Sequence, residues 1–379
     1  MQRPPSLPLV PLDATFLVGL LLVLHAGVLI VLAINIASLT RSRTRRTPLP
    51  SGMKVSVLVP ARNEEENLRR LLPTLLSQEG VELEIIVVDD ASEDGTWDVL
   101  QQHADPRLKP VRGSGPPAGW VGKPHALYQA AQHATGDVYV FLDADAECRQ
   151  PDAVRSLAEK WQSAGGPNTA ITGLPYYLDR GPAALLTSLV PFAIMAALPI
   201  PLVPRTKSSA ISALNGQFWM IGAEDYKRLA PHEAVKNEVL EDVMIGRYLK
   251  REGVRLHFID LQTELAVRMY RTFGEAWQGF RKNAYLLAGD GRPLPFLVFF
   301  AFYALYWVLP TALAFAHPLG WMTLATLALV KLCIDRWERF PLWVSVFGPV
   351  TLALGATLQL DSAWAHLRGQ VAWKGRNVG

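Results

Sequence analysis

From Ala14 to Thr40 the chain carries no Asp, Glu, Lys or Arg, and the run stops at Arg41, Arg43, Arg45 and Arg46. About 20 consecutive apolar residues suffice to cross the hydrocarbon of a bilayer, so residues 1–46 are expected to form a transmembrane anchor. The arginines that close it follow the positive-inside rule and place the chain from residue 41 onward on the cytoplasmic side. A cleaved signal peptide fits less well. Its apolar region is only ~7–15 residues long, and a small-x-small cleavage site should follow.

The anchor does not characterise the whole chain. Charged residues are 19% of the 379, against ~25% in ordinary soluble domains, and the deficit collects at the two ends. Residues 53 to about 260 read as a soluble α/β unit. Met53–Pro60, Glu84–Val88 and Val138–Leu142 are almost continuously apolar, and helix-like stretches separate them. Continuous rather than alternating apolar runs indicate a parallel sheet covered on both faces. Asn63, with Glu66 three residues on, is expected to form a capping box that opens a helix to about Gln78. The formal net charge of +3 argues against a nucleic-acid partner. Two cysteines, Cys148 and Cys333, exclude a disulfide scaffold.

Three further stretches are nearly free of charge. Gly181–Pro204 contains five prolines, which suit a broken interfacial or re-entrant segment better than one straight helix. Leu294–Val330 is close to two spans, with Pro318–Gly320 as the turn, and Phe340–Leu360 is another possible span. The expected organisation is an anchor (1–46), a cytoplasmic catalytic domain (47–290) with the apolar insert 181–204, and C-terminal membrane helices with a basic tail (291–379). An anchor plus three C-terminal spans would leave the basic tail outside, against the positive-inside rule. One of the C-terminal segments is therefore expected to stay at the interface.

Carboxylates gather where strands end. Val88 is followed by Asp89 and Asp90, and Leu142 by Asp143-Ala-Asp145. Ligands of open α/β sheets bind beyond the carboxyl ends of strands. Asp89 and Asp90 suit a base and ribose, or else an Asx turn that caps the next helix. Two carboxylates two residues apart suit Mg²⁺ or Mn²⁺, hard ions that bridge protein oxygens to phosphates. Glu241 and Asp242 open a helix whose dipole is expected to hold their pKa low, and the bland alternative is simple N-capping. Lys123, in a Gly-flanked turn before a helix, can meet a phosphate or lie in a surface loop. Gln278 and Arg281 precede the C-terminal membrane block, where a basic aromatic segment either anchors at the bilayer or closes over a diphosphate.

Taken in order, VLVPARNEEENL, VVDDASEDGT, GWVGKPHAL, FLDADAE, NEVLED and QGFRKN resemble a membrane-bound family 2 glycosyltransferase of the GT-A fold over about residues 53–283. Within that family the chain is most similar to the diaponeurosporenoate and hopene-associated glycosyltransferases, and the tail Val371–Arg376 resembles their C-terminal signature. The resemblance implies an inverting transfer of a hexose from a nucleotide-diphosphate sugar, a UDP-hexose being expected, to a lipid acceptor such as a terpenoid hydroxyl or carboxyl. It implies that Pro60, Ala61, Arg62, Glu64, Asp89, Asp90, Lys123, Asp143, Gln278 and Arg281 bind the nucleotide sugar. Asp145 and Asp143 would hold a divalent cation, Mg or Mn, and Asp242, beside Glu241, would be the catalytic base. Lys282 stands where processive members carry Trp in Q-x-x-R-W, which argues against polysaccharide elongation. Polyprenyl phosphate remains an alternative acceptor. A catalytically dead scaffold would need a damaged motif, and Asp143, Asp145 and Asp242 are all present.

Overall fold

The computed structural model describes residues 13–212, 214–373 and 376–377. The uncharged N-terminal run is one helix, α1 (Ala14–Thr44), capped by Asp13, whose carboxylate accepts from Phe16 N at 2.7 Å. A first alternating block follows: β1 (Lys54–Ala61), α2 (Glu65–Leu76), β2 (Glu82–Asp90), α3 (Thr96–Gln101), β3 (Leu108–Gly113), α4 (Gly122–His133) and β4 (Val138–Leu142). These four strands pair in parallel in the order β3-β2-β1-β4. Both faces of β1 are buried, with Val55, Val57 and Val59 in one core and Leu58 in the other. That explains the unbroken apolar runs.

The expected capping box does not form. Asn63 adopts a left-handed backbone (φ 52°), and its side-chain oxygen accepts from Glu93 N at 2.8 Å. The helix starts two residues later, capped by no side chain.

The second block adds β5 (Ala146–Cys148), α5 (Ala153–Ala164), β6 (Thr169–Leu174), β7 (Tyr176–Tyr177), α6 (Ala183–Thr187), α7 (Leu189–Ala197), β8 (Phe218–Gly222), α8 (Ala223–Leu229), α9 (Pro231–Ala234), α10 (Glu241–Arg251), β9 (Arg255–Asp260) and β10 (Leu265–Val267). The main sheet grows to seven strands, β3-β2-β1-β4-β8-β6-β9, and β8 runs antiparallel to both neighbours. The sheet is thus mixed rather than purely parallel. The chain reaches β8 from the long apolar excursion and enters beside the carboxyl end of β4, with Phe218 opposite Leu142. Strands β5, β10 and β7 form a small second sheet.

The apolar insert is broken into α6, α7 and a 3₁₀ turn at Ile200–Arg205. Asn35 of α1 fastens it by donating to Met195 O and Leu198 O (3.0 and 2.8 Å) and accepting from Ile200 N (2.9 Å).

The C-terminal part comprises α11 (Phe273–Gly289), α12 (Pro293–Tyr303), α13 (Leu309–Ala316), α14 (Gly320–Trp337), α15 (Leu342–Val346) and α16 (Gly348–Leu367), with one π turn between α12 and α13. Two described helices are long and apolar enough to span a bilayer, Ala14–Thr44 and Pro293–Ala316. Helix α14 doubles back on α13 at Gly320, where any side chain would collide with Leu313 O. Helix α16 packs along α11, joined by Trp277 Nε1 to Asp361 (2.8 Å) and Arg281 Nε to Asp361 (3.0 Å). Strands β11 (Ala372–Trp373) and β12 (Arg376–Asn377) pair as a short ribbon, and Lys374 of the tail lies outside the described residues.

Candidate active site

The strand order reverses at β1, with β2 and β3 on one side and β4 on the other. Such a switch point leaves a crevice beyond the carboxyl ends of the strands. Here the ends of β1, β2 and β4 border it, joined by the start of β8 and the first turn of α10.

Lys123, at the start of α4, occupies the centre. Its ammonium lies 2.8 Å from Asp143 Oδ1 and 3.1 Å from Glu241 Oε1, and donates to Gly216 O at 3.4 Å. Burial works against the charged lysine, but Asp143, Glu241 and Asp242 outweigh it and hold its pKa above the ordinary range. Asp143 is pushed up by burial and by the nearby charges of Glu241 and Glu64, with Lys123 opposing.

Asp242 sits one residue into α10 and accepts from Gly216 N (3.0 Å) and Val243 N (2.8 Å). Its pKa is raised to about 6, by burial first and by the Glu241 charge second, against the pull of Lys123 and the two amides. The expectation of a depressed pKa is corrected here. A helix N-terminus is worth only ~0.3–1 kcal/mol to an exposed carboxylate, and burial beside a second carboxylate exceeds that.

The loop Asn215-Gly216-Gln217 builds this centre, and the motif reading did not single it out. Asn215 donates to Gly173 O (3.0 Å), and Gln217 O accepts from Asp143 N (3.1 Å). A Cβ on Gly216 would lie 3.0 Å from Asp242 Oδ2 and 3.1 Å from Lys123 Nζ, so glycine lets the carboxylate and the lysine meet there. The Asn-Gly pair before an apolar strand was the available signal, and it reads only as a turn.

Across the crevice, Pro60 and Ala61 end β1 opposite Val88 and Asp89. Arg62 donates to Asp90 O (2.9 Å) and Ala91 O (2.8 Å), fixing the β2 turn. Asp89 accepts from Ser92 N at 3.0 Å, an Asx turn. The buried Asp90 acts electrostatically on His125 of α4, and Glu64 on Asp143. The second carboxylate of the β4 turn, Asp145, is tied through its carbonyl to Arg268 N (3.1 Å) and faces Tyr270.

Helix α11 presents two cations differently. Arg281 is engaged by Asp361 of α16, whereas Lys282 faces Glu241, Asp242, Asp143 and Lys123. Gln278, one turn before Lys282, is exposed. Sequence reasoning treated Lys282 only as a missing Trp. Its position on the inward stripe of α11 depends on the helix's rotation, which α16 sets.

Among the described residues no three His, Cys, Asp or Glu side chains converge as a ready metal cage. The donor set fits a shared site instead, because Mg²⁺-type ions are commonly held by one or two carboxylates and complete their shell with phosphate and water. Two carboxylates, Asp143 and Asp145, stand at the turn after β4, with Asp143 already sharing its charge with Lys123.

Residues 56–190 match the glycosyl transferase family 2 profile. The 4,4'-diaponeurosporenoate glycosyltransferase of Staphylococcus haemolyticus is 26% identical over 243 residues, 63% of this chain and 63% of that protein. The Staphylococcus aureus protein of the same name is 25% identical over 339 residues, 85% of this chain and 87% of its own. The match to the first relative thus spans under two thirds of its length. Among solved structures, the mannosyltransferase PcManGT from Pyrobaculum calidifontis, in complex with GDP-Man and Mn²⁺, superposes with a TM-score of 0.54 at 21% identity, covering 93% of this chain and 99% of that one. Residues 56–190 of this chain thus resemble glycosyl transferase family 2, within an α/β GT-A fold.

Proposed function

We propose that this protein is an inverting hexosyltransferase that moves a sugar from a nucleoside-diphosphate donor, a UDP-hexose, to a membrane lipid with a terpenoid-like body. The observation that carries the reading is Asp242, a half-buried carboxylate with its pKa raised to about 6, placed across Gly216 and Lys123 from the Asp143–Asp145 turn. A general base works best with a pKa near the operating pH. The acceptor oxygen attacks the anomeric carbon while the bond from that carbon to the diphosphate breaks, and Asp242 takes the acceptor's proton. Asp89 and Asp90 hold the base-and-ribose end with Pro60, Ala61, Arg62 and Glu64. Lys123 orients Asp143 toward the diphosphate. A divalent cation, Mg or Mn, on Asp145 and Asp143 would supply positive charge to the departing diphosphate. Gln278 is exposed one turn before Lys282 and would reach the donor from there, Arg281 fixes that helix through Asp361, and Lys282 adds a second cation to the cluster.

The acceptor in the staphylococcal relatives' name supports a carotenoid-like substrate. The apolar insert held by Asn35 would guide it from the bilayer. Helices α1 and α12–α13 are read as spans, α14, whose charged Lys331 and Asp335 pair with each other, as the return through the bilayer, and α16 as staying on the catalytic side, because Asp361 pairs with the helix that carries Lys282. This arrangement makes an inner-membrane, multi-pass protein with a cytoplasmic domain and places the tail inside, as the positive-inside rule prefers.

The test is to incubate the purified full-length protein with radiolabelled nucleotide hexoses, Mn²⁺ or Mg²⁺ and a total lipid extract. EDTA-sensitive label in the organic phase is expected, and mass spectrometry then names sugar and acceptor. Label appearing only in a water-soluble polymer would overturn the lipid reading.

A further inference from the structure

Three arginines that the reaction does not use converge on one aromatic ring. The guanidinium carbons of Arg149, Arg180 and Arg339 lie 4.4, 5.0 and 6.0 Å from the centre of Tyr176. They come from three distant parts of the chain: the turn after β5, the loop after β7 and the end of α14. All three are exposed. Among the described residues none of them forms an ion pair. Arg180 is held by neutral groups, donating to Tyr177 O (2.7 Å), Asp179 O (3.0 Å) and Tyr176 Oη. Arg149 donates to Gln262 O. The carboxylate that senses Arg339, Glu338, is buried and also faces Arg43 and Asp260. Three like charges with only one buried, shared carboxylate near them make a site for an anion.

Arg339 adds an independent observation. Helix α14 ends in a motif where Arg339 N donates to Arg336 O (3.3 Å) and Phe340 N to Asp335 O (2.8 Å). Arg339 itself is left-handed, with φ 58°. Glycine is the usual residue at that position, and an arginine is strained there. The strain places a third guanidinium on the ring.

The patch also lies at a defined depth. The arginine end of α1 docks beside it, with Arg43 stacked over Trp337 at 4.4 Å and paired with Asp260. Gln262 links the two, its backbone accepting from Arg149 and its side chain donating to Trp337 O at 3.2 Å. Where α1 and α14 leave the bilayer together, the anion within reach is a lipid headgroup.

We propose that Arg149, Arg180 and Arg339, arranged around Tyr176, bind the phosphate of an anionic phospholipid in the cytoplasmic leaflet. The proposal rests on the membrane reading above. Each arginine near an anionic surface contributes enough for roughly five-fold in affinity, so three give on the order of 10²-fold at low salt, weakening as salt is added.

The test begins with flotation of the full-length protein on phosphatidylcholine vesicles, followed by native mass spectrometry of protein titrated with phosphatidylglycerol or phosphatidylcholine. Flotation on neutral vesicles and preferential retention of phosphatidylglycerol are expected. The preference should be lost in R149Q/R180Q/R339Q. Arg339→Gly should weaken it about five-fold while raising the unfolding temperature, because glycine relieves the left-handed strain. That variant separates lost binding from lost folding. Equal retention of the two lipids by a protein that floats overturns the proposal and leaves the membrane reading standing. A protein that floats on no vesicle overturns both. Complete displacement of phosphatidylglycerol by inorganic phosphate overturns the lipid as the source of the anion.

Discussion

Two carboxylate-paired lysines, Lys331 and Lys123, show how differently this chain uses the same side chain. Lys331, in α14, and its partner Asp335 are both 0% exposed. Lys331 also donates to Ser188 Oγ (3.0 Å), and Ser345 Oγ donates to Asp335 at 2.9 Å. One cation meets one anion, hydroxyls complete the set, and no path to solvent remains. Lys123 is 31% exposed, and its partners Asp143 and Glu241 are 24% and 11% exposed. Even with Lys282 included, its cluster holds more carboxylates than ammonium groups. A closed, balanced pair fixes helices together. An open, acid-rich one leaves carboxylates in surplus, and that surplus, together with burial, appears in the raised pKa of Asp242.

The contrast breaks most readily at Asp242. Asp242→Asn keeps the shape and the bond from Gly216 N but cannot take a proton. Turnover is expected to fall by about 10²–10⁴-fold, while donor affinity measured by calorimetry changes little. Unchanged turnover would remove Asp242 as the base. At the closed site, Asp335→Ala should destabilise the fold by about 3–5 kcal/mol in denaturant titration, because it strands a buried charge. The pair replacement Lys331→Met with Asp335→Leu should recover most of that loss. A harmless single substitution would mean that water reaches the pair.

The pH response sharpens the difference further. Asp242 must be ionised to act, so kcat/KM should fall about ten-fold per pH unit below about 6 and level off above. A carboxylate whose folded pKa lies above its ordinary ~3.9 contributes stability in acid that is lost as pH rises through about 6. Activity and the Asp242 contribution to stability should therefore move in opposite directions between about pH 4 and 6. A rate that stays flat down to pH 5 would contradict the assignment.

The legible parts of this chain were those where one stretch of sequence suffices. The strands ending at Pro60, Val88 and Leu142 are continuous apolar runs, and the carboxylates just beyond them were read as chemistry. The antiparallel β8 was not legible, because its direction is set by where the excursion through 181–217 returns. Nor was Gly216, whose partners Lys123 and Asp242 lie on two other elements and meet only across the folded sheet edge. Tyr270 faces Asp145 for the same reason. The placement proposed for 340–360 draws on a pairing between Arg281 and Asp361, which composition cannot reveal. Hydropathy marks that stretch as apolar without saying which side of the membrane holds its charged end.

The smallest effect asked of the comparison separates neighbours on α11. Arg281 and Lys282 are adjacent, yet one faces Asp361 and the other faces Glu241, Asp242 and Asp143. Arg281→Gln removes a partly exposed pair and should cost roughly 1 kcal/mol or less of stability, with a smaller loss of turnover than Lys282→Met. Lys282→Met should lower kcat by about ten-fold, the order of one charge contact in a partly dry site. It should also move the acid limb of the pH profile upward, because a cation facing Asp242 is gone and the carboxylate then holds its proton more tightly. Arg281→Gln should leave that limb in place. A shift produced by Arg281→Gln and not by Lys282→Met would mean that α11 turns when the donor binds and brings the arginine inward.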